Sequence, residues 1–167
     1  AAPAAPAGEK LAAPVIAVVD VQKIMQDSAA AKGIQAEIEA QRDKYQKEIS
    51  GLENKLRSAD QELRTQQTVL SPDALSKTRN EFQTQVAEVQ RTVQTRKRAL
   101  DAGMGEAMGA VQKAMLEIIA DVVRERGANI VLARHQFVIV DTKLDISDTV
   151  MDRLNAALPK VAVNIPK

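Results

Sequence analysis

The sequence predicts a mainly α-helical protein in which a long antiparallel helical hairpin forms an arm on a small β-sheet body. Three observations predict this class. A heptad pattern of apolar residues fills the middle of the chain, one Ser-Pro-Asp sequence interrupts it, and short β-branched runs flank it on both sides. Aromatic residues are only 2% of the 167 residues, and so few large side chains favour an extended shape with a thin core.

Residues 1–14, AAPAAPAGEKLAAP, are predicted to be a disordered leader, because a segment so rich in Ala and Pro cannot bury enough apolar surface to fold. The absence of an initial Met is as typical of a trimmed chain as of a processed secretory N-terminus. Residues 15–28 are predicted to begin the body, with a buried strand over Val15–Val19 and then the start of a helix.

The helical hairpin arm is predicted over residues 29–126. In its first helix, apolar residues alternate at spacings of three and four, which is the pattern of a coiled-coil seam. The seam residues are Ile38, Tyr45, Ile49, Leu52, Leu56, Ala59, Leu63 and Leu70. From Ala29 to Leu70 this helix would extend about 60 Å at 1.5 Å per residue.

The tip of the arm is predicted near residues 70–73. Ser71 is suited to cap a new helix, Pro72 to its first turn, and Asp73 to the positive end of the helix dipole. The second helix continues the seam, then the apolar stripe slips by one position before Gly127 ends the helix. Its stripe residues are Leu75, Phe82, Val86, Val89, Val93 and Leu100, followed by Met104, Met108, Val111, Met115, Ile118 and Val122.

Residues 127–158 are predicted to complete the body with two strands and a last helix. The runs Ile130–Ala133 and Phe137–Val140 are separated by three residues, which is typical of a β-hairpin, and the helix starts near Asp145. Residues 159–167 are predicted to be a loose tail. Because three short strands make a meagre core, we expect the body to assemble with further copies of the chain.

The composition excludes several classes of function. The 23 basic and 22 acidic residues nearly cancel, which argues against a protein that coats nucleic acid. There is no cysteine, the single histidine is His135 in a predicted turn, and no phosphate-binding loop or metal-ligand spacing is present. No apolar run approaches the roughly 20 residues that a membrane span needs. The sequence therefore predicts neither catalysis nor a cofactor.

Apolar residues at two places on the arm are candidate contacts for other polypeptides. One group lies at the tip and the other is a methionine stripe, whose flexible side chains suit promiscuous binding. These candidates are Val69, Leu70 and Leu75 at the tip, and Met104, Met108 and Met115 in the stripe. Hairpin closure at the tip and ordinary seam packing of the methionines are the simpler explanations.

A basic stretch of the second helix is a candidate site for an acidic or phosphate-bearing partner. It contains Lys77, Arg79, Arg91, Arg96, Lys97 and Arg98. Only Glu81 and Glu88 oppose them between Lys77 and Arg98, so this stretch is positive although the whole chain is nearly neutral. A solvated coiled-coil face is the simpler explanation.

Several sequences, in their order and spacing, resemble the OmpH/Skp family of periplasmic chaperones. VVDVQKI is similar to the family's opening strand and first helix, LSPD to its hairpin turn, and the C-terminal stretch to its strand pair followed by LDIT-D-hydrophobic-RLN. These matches lie at Val18–Ile24, Leu70–Asp73, Asn129–Leu132, Phe137–Val140, Leu144–Asp148 and Val150–Asn155. The resemblance spans about residues 15–158.

The resemblance implies a homotrimer in which strands form a central β-body and three arms enclose a cavity, like the bell of a jellyfish. It also implies a periplasmic, ATP-independent holdase for unfolded outer-membrane proteins. In some members, basic residues on the arms bind lipopolysaccharide. Arg91, Arg96, Lys97 and Arg98 are the nearest equivalents by position.

Two alternatives remain open on the sequence. A prefoldin-like cytosolic chaperone also has coiled-coil arms on a β-body, but its strands typically lie between terminal helices, the reverse of the order predicted here. A structural or nucleic-acid-binding coiled-coil oligomer is the other alternative, and a steep salt dependence of DNA binding would favour it.

Overall fold

The computed structural model describes residues 11–166, which form two compact units. The body unit contains the chain up to Ser28 together with Gln112–Pro159, and the arm unit contains Ala29–Val111 and the residues from Lys160 onward. The elements are β1 Ile16–Val19, α1 Val21–Asp27, α2 Ala29–Gln66, α3 Pro72–Arg126, β2 Ile130–Ala133, a 3-10 turn Arg134–Gln136 and α4 Ser147–Ala157. Long helices with one small sheet are the predicted mainly α class.

The arm unit is built on the antiparallel pair α2 and α3. Glu48 of α2 contacts Arg96 of α3, while Leu63 further along α2 lies with Phe82, which is earlier in α3. Most seam residues of the outer part are only half-buried, because two helices alone leave each seam side chain open on its flanks. The outer part of the arm therefore has only a thin apolar layer, whereas Ile34 and Val111 of the same unit are fully buried.

The tip has the predicted helix start. α3 begins at Pro72, and the Ser71 hydroxyl accepts a hydrogen bond from the Ala74 backbone N–H at 3.4 Å. Helix α2 ends earlier than predicted, at Gln66 instead of Leu70, and residues 67–71 form the turn. The other end of α3 also follows the sequence, since Gly127 adopts φ +66°, a conformation that glycine allows without strain.

The buried stripe of α3 differs from the predicted slip. Small residues are buried every fourth position, at Ala99, Gly103 and Ala107, and the series continues through Val111. Met104 and Met108 lie beside this stripe. A four-residue spacing drifts round the helix relative to the heptad, and the small side chains allow close packing where large ones would not fit.

The body unit contains a parallel sheet in place of the predicted hairpin. β1 pairs with β2 in the register Ile16↔Ile130. On its other side, Val18 donates to the Leu144 carbonyl and accepts from the Ile146 N–H, both at 2.8 Å. Strand β1 is therefore the centre of the sheet and satisfies its backbone on both edges.

The predicted second strand of the hairpin, Phe137–Val140, is wrong for the single chain. The polypeptide makes a 3-10 turn over Arg134–Gln136, and the Arg134 guanidinium donates to the Phe137 carbonyl at 3.0 Å. Three intervening residues allow a hairpin locally, but β2 pairs with β1 instead. The run Phe137–Val140 forms no strand with the rest of the described chain.

Helix α4 packs its predicted apolar face into the core of the body. Ile146, Val150 and Leu154 are buried, together with Ile24 of α1. The Ser147 hydroxyl accepts from the Asp20 backbone N–H at 2.8 Å, which ties the start of α4 to the end of β1. The last part of α3 contributes Val122 to the same core, so the body begins at residue 112 of this helix, where the sequence predicted arm as far as 126.

The ends of the chain are only partly described. Most of the predicted disordered leader, residues 1–10, and Lys167 lie outside the described residues. The predicted loose tail does lack helix and strand from Lys160 to Pro166, but it is not free: Val163 is buried, and this segment contacts α3 at Gly103. None of the described helices is long and apolar enough to cross a membrane.

Candidate functional site

The tip of the arm exposes one large apolar side chain. Val69 lies in the turn and is 80% exposed, whereas Leu70 and Leu75 are half-buried. The turn residues precede the Ser71 cap, so the backbone there is fixed while the valine side chain faces solvent. Of the three predicted tip residues, Val69 is thus the one whose side chain is accessible.

The three methionines are placed in different environments. Met104 is 38% exposed and Met108 is half-buried, both on the arm unit. Met115 is 1% exposed and belongs to the core of the body unit. The three methionines therefore do not form one continuous stripe: Met115 lies on the buried face of α3, whereas Met104 and Met108 are each one position away from it.

Arg96 is engaged inside the arm and is not a free basic site. Its Nε and Nη2 donate to the two carboxylate oxygens of Glu48 at 3.2 and 3.0 Å. The guanidinium also lies 4.7 Å from the centroid of the Tyr45 ring. The hydrogen bond to Glu48 raises the pKa of Arg96. This planar fork links α2 to α3 and stabilises the pairing of the helices.

The other five basic residues do not form one patch. Lys77, Arg91 and Arg98 are separated by 14 and 7 residues, so they share one face of α3. Arg79 and Lys97 are 18 residues apart, five full helical turns, and share a different face. All five are exposed, and Lys77 also lies 4.0 Å from Glu81. The positive charge therefore surrounds this part of the arm instead of marking a single pocket.

A shallow groove runs between the two helices of the arm. Leu52 and Leu56 of α2 and Val89 of α3 form its floor, and polar side chains, among them Lys55 and Glu88, form its rim. The three floor residues are half-buried, so part of the seam is accessible from outside. Such a groove can offer weak apolar contact without a specific shape.

Apart from Leu11 in the leader, the most exposed large apolar residues of the described chain lie in the body unit. Val138 and Ile139 are 95% and 87% exposed, and they lie in the run that was predicted as a strand. Two adjacent bare β-branched residues with no strand partner form a typical surface for association. The sequence predicted a strand over this run, and in the structure it is instead exposed and irregular.

No group of three or more His, Cys, Asp or Glu side chains in the described part of the chain is placed to hold a metal ion. His135 is exposed in the 3-10 turn. Two features were not predicted from the sequence. One is the link between Glu48 and Arg96, although Tyr45 was placed in the seam. The other is the contact of residues 160–166 with α3, for which the alternating sequence V-A-V-N-I was the available signal.

Comparisons with known proteins agree with this architecture. The profile of the family "Outer membrane protein (OmpH-like)" matches residues 15–154. A solved structure from Caulobacter crescentus CB15, an "outer membrane chaperone (OmpH-like)", has a TM-score of 0.85 with 19% sequence identity, and the match covers 96% of this chain and 95% of that one. A comparison with curated proteins returns no match. At this identity the structural likeness establishes a shared fold.

Proposed function

The chain belongs to the OmpH-like outer membrane protein family, and from this premise we propose that it is an ATP-independent holdase chaperone of the periplasm. Its clients are unfolded outer-membrane proteins, which it keeps from aggregating. It acts by binding alone and carries out no catalysis. The observation that carries the proposal is the arm itself: two long paired helices with a half-buried apolar seam and charged outer faces.

The physical properties of the arm fit the properties of such clients. Unfolded barrel strands expose apolar residues at every second position and aggregate through their unpaired edges. The groove over Leu52, Leu56 and Val89 and the exposed side chain of Val69 offer many small apolar contacts. Each is worth little, so a client is held by their sum and leaves without an energy source.

Assembly into a homotrimer is part of the proposal. Val138 and Ile139 supply the association surface, because a copy of the chain could pair with or cover this strand-like run. Three arms, one from each copy, would then enclose one client. The double variant Val138→Asp/Ile139→Asp should give monomers in sedimentation velocity, where the unaltered protein sediments near three times 18.1 kDa. A monomeric unaltered protein would contradict the trimer.

The holdase activity is tested by light scattering. An unfolded outer-membrane β-barrel protein is diluted from urea into buffer with increasing amounts of the chaperone and no nucleotide. Scattering should fall to the baseline near one trimer per client, because each cavity isolates one chain. Unchanged scattering in excess chaperone would overturn the proposed function. The monomeric variant serves as the matched comparison, since it retains the arm but cannot enclose a client.

An anionic surface such as lipopolysaccharide is the proposed additional partner. The face shared by Lys77, Arg91 and Arg98 is the candidate, because these three charges line up along α3 while Arg96 is occupied by Glu48. Arg91→Glu/Arg98→Glu should weaken binding to lipopolysaccharide vesicles, and Arg79→Glu/Lys97→Glu is the control on the other face. If both pairs weaken binding equally, the interaction is with the general charge of the arm.

A nucleic-acid-binding coiled coil is less well supported by the same charges. They are divided between two faces of α3, and the chain has a net charge of only +1. A DNA-binding protein would lose affinity steeply with salt as counterions return to the phosphates. Measuring the binding of duplex DNA at low and physiological salt separates the two functions.

A further inference from the structure

Residues 160–166, here named the strap segment, cover a defined spot on α3. The segment has an extended, alternating arrangement: Val161, Val163 and Ile165 are shielded, while Lys160, Ala162 and Asn164 are exposed. Val163 is the most deeply placed, at 9% exposure. The strap segment belongs to the same compact unit as the part of α3 that it contacts.

The contact depends on a glycine. A Cβ atom on residue 103 would lie 2.9 Å from the Asn164 carbonyl oxygen, 3.2 Å from Ile165 Cγ1 and 3.3 Å from Val163 Cγ1. The two other glycines nearby in α3, Gly105 and Gly109, have open space around the same position. Gly103 is therefore the place where an extended backbone can approach the helix closely.

The strap segment has the pattern of the proposed clients. A membrane-spanning barrel strand alternates apolar and polar residues with a period of two, and Val161-Ala162-Val163-Asn164-Ile165 repeats that alternation over five residues. Only three apolar side chains of the strap segment are shielded, and of these Val163 alone is buried. An extended client segment could replace it residue for residue.

We propose that the surface of α3 at Gly103 is a docking groove for extended, alternating polypeptide, that the strap segment occupies it in the absence of a client, and that client segments compete for it. This inference rests on the proposed holdase function and names one site at which a client is bound. An unfolded client would gain this contact only by displacing Val163. The strap segment therefore lowers the apparent affinity of the protein for its client.

Two variants separate the strap segment from the groove. Val163→Asp should release the strap segment and leave the groove intact. An unfolded outer-membrane β-barrel protein should then bind about tenfold tighter, which corresponds to the free energy of burying one valine side chain. Gly103→Ala should obstruct the groove for the strap segment and the client alike. The double variant Val163→Asp/Gly103→Ala should therefore lose the gain of Val163→Asp.

Each variant has a matched control. Ala162→Asp places the same charge on the exposed side of the strap segment and should leave client affinity unchanged. Gly105→Ala makes the same change of helix propensity as Gly103→Ala at a position where a Cβ meets open space. An effect of Gly105→Ala equal to that of Gly103→Ala would overturn the assignment of the groove.

A labelled peptide with the sequence of residues 160–166 tests the groove without a client. By fluorescence anisotropy it should bind the Val163→Asp protein, bind the unaltered protein weakly, and fail to bind the double variant. If the unaltered protein holds the barrel client but Val163→Asp binds it no tighter, the inference is overturned and the holdase function stands. If the unaltered protein does not hold the client at all, the proposed function fails, and the inference fails with it.

Discussion

The outer arm and the body bury the same kinds of side chain to different depths. In the body, Val18, Leu154 and Val150 lie between a sheet, two helices and the end of α3, and none exceeds 1% exposure. In the outer arm, Leu52 and Leu56 pack against a single neighbouring helix and remain half-buried. The difference arises from the number of neighbouring elements. A seam side chain of the outer arm packs against one helix only, so its flanks stay open to solvent.

This contrast separates stability from binding within one chain. The enclosed core of the body can hold its elements together through packing, while the open seam of the arm leaves apolar surface available. The arm gains part of its cohesion from polar links such as Arg96–Glu48, which do not consume that surface. An open seam is a defect in a globular core but is suited to a surface that grips other chains.

The largest effect is expected when equal truncations are made in the two regions. Leu154→Ala, in the body, should lower the free energy of unfolding by about 3 kcal/mol, because it leaves a cavity among fixed neighbours. Leu56→Ala, in the arm, should cost about 1 kcal/mol, because the leucine there is only half-buried. Urea titration at one fixed protein concentration measures both, and equal losses would contradict the contrast.

An intermediate effect is expected from Arg96. Arg96→Met removes the fork to Glu48 and the stacking on Tyr45, and should cost about 1 kcal/mol, a value limited by the partial exposure of the pair. Hydrogen exchange should accelerate in the middle of α2 and α3 but not in the body. Arg98→Met, two residues away and exposed, is the control. Equal exchange in both variants would show that the link does not hold the helices together.

The smallest effect is expected from an exposed ion pair of the body. Arg153 donates to both carboxylate oxygens of Glu125, at 2.8 and 2.6 Å, and this hydrogen bonding lowers the pKa of Glu125. A lowered pKa in the folded state means that the pair contributes stability above the ordinary carboxyl range, about pH 4.3, and loses it as the pH falls through the folded pKa.

Glu125→Gln should therefore lower Tm slightly at pH 7, and its difference from the unaltered protein should vanish in acid. Glu117→Gln, an exposed glutamate on the same helix, controls for the change in net charge. Differential scanning calorimetry across pH measures both variants. A difference that grows as the pH falls would have the wrong sign for this ion pair.

Features that depend on local chemistry could be predicted from short stretches of the sequence. The heptad spacing predicts two paired helices whatever surrounds them, and Ser71 with Pro72 starts α3 through its own backbone groups. Gly127 ends α3 for the same local reason, because it accepts a positive φ without strain. The strand propensity of Ile16–Val19 and Ile130–Ala133 was also visible, since β-branched runs favour extended backbone.

Features that need a partner distant in sequence depend on tertiary contacts and could not be predicted in this way. Propensity marks Phe137–Val140 as strand-like, but β1 pairs with β2 on one edge and with the backbone of Leu144 and Ile146 on the other, so neither edge of β1 is left for this run. The inward turn of Met115 and the burial of Val163 on Gly103 depend in the same way on the surfaces opposite them. Arg96 was predicted as a free charge and became a link because Glu48 lies across the seam, which a list of charges along one helix does not record.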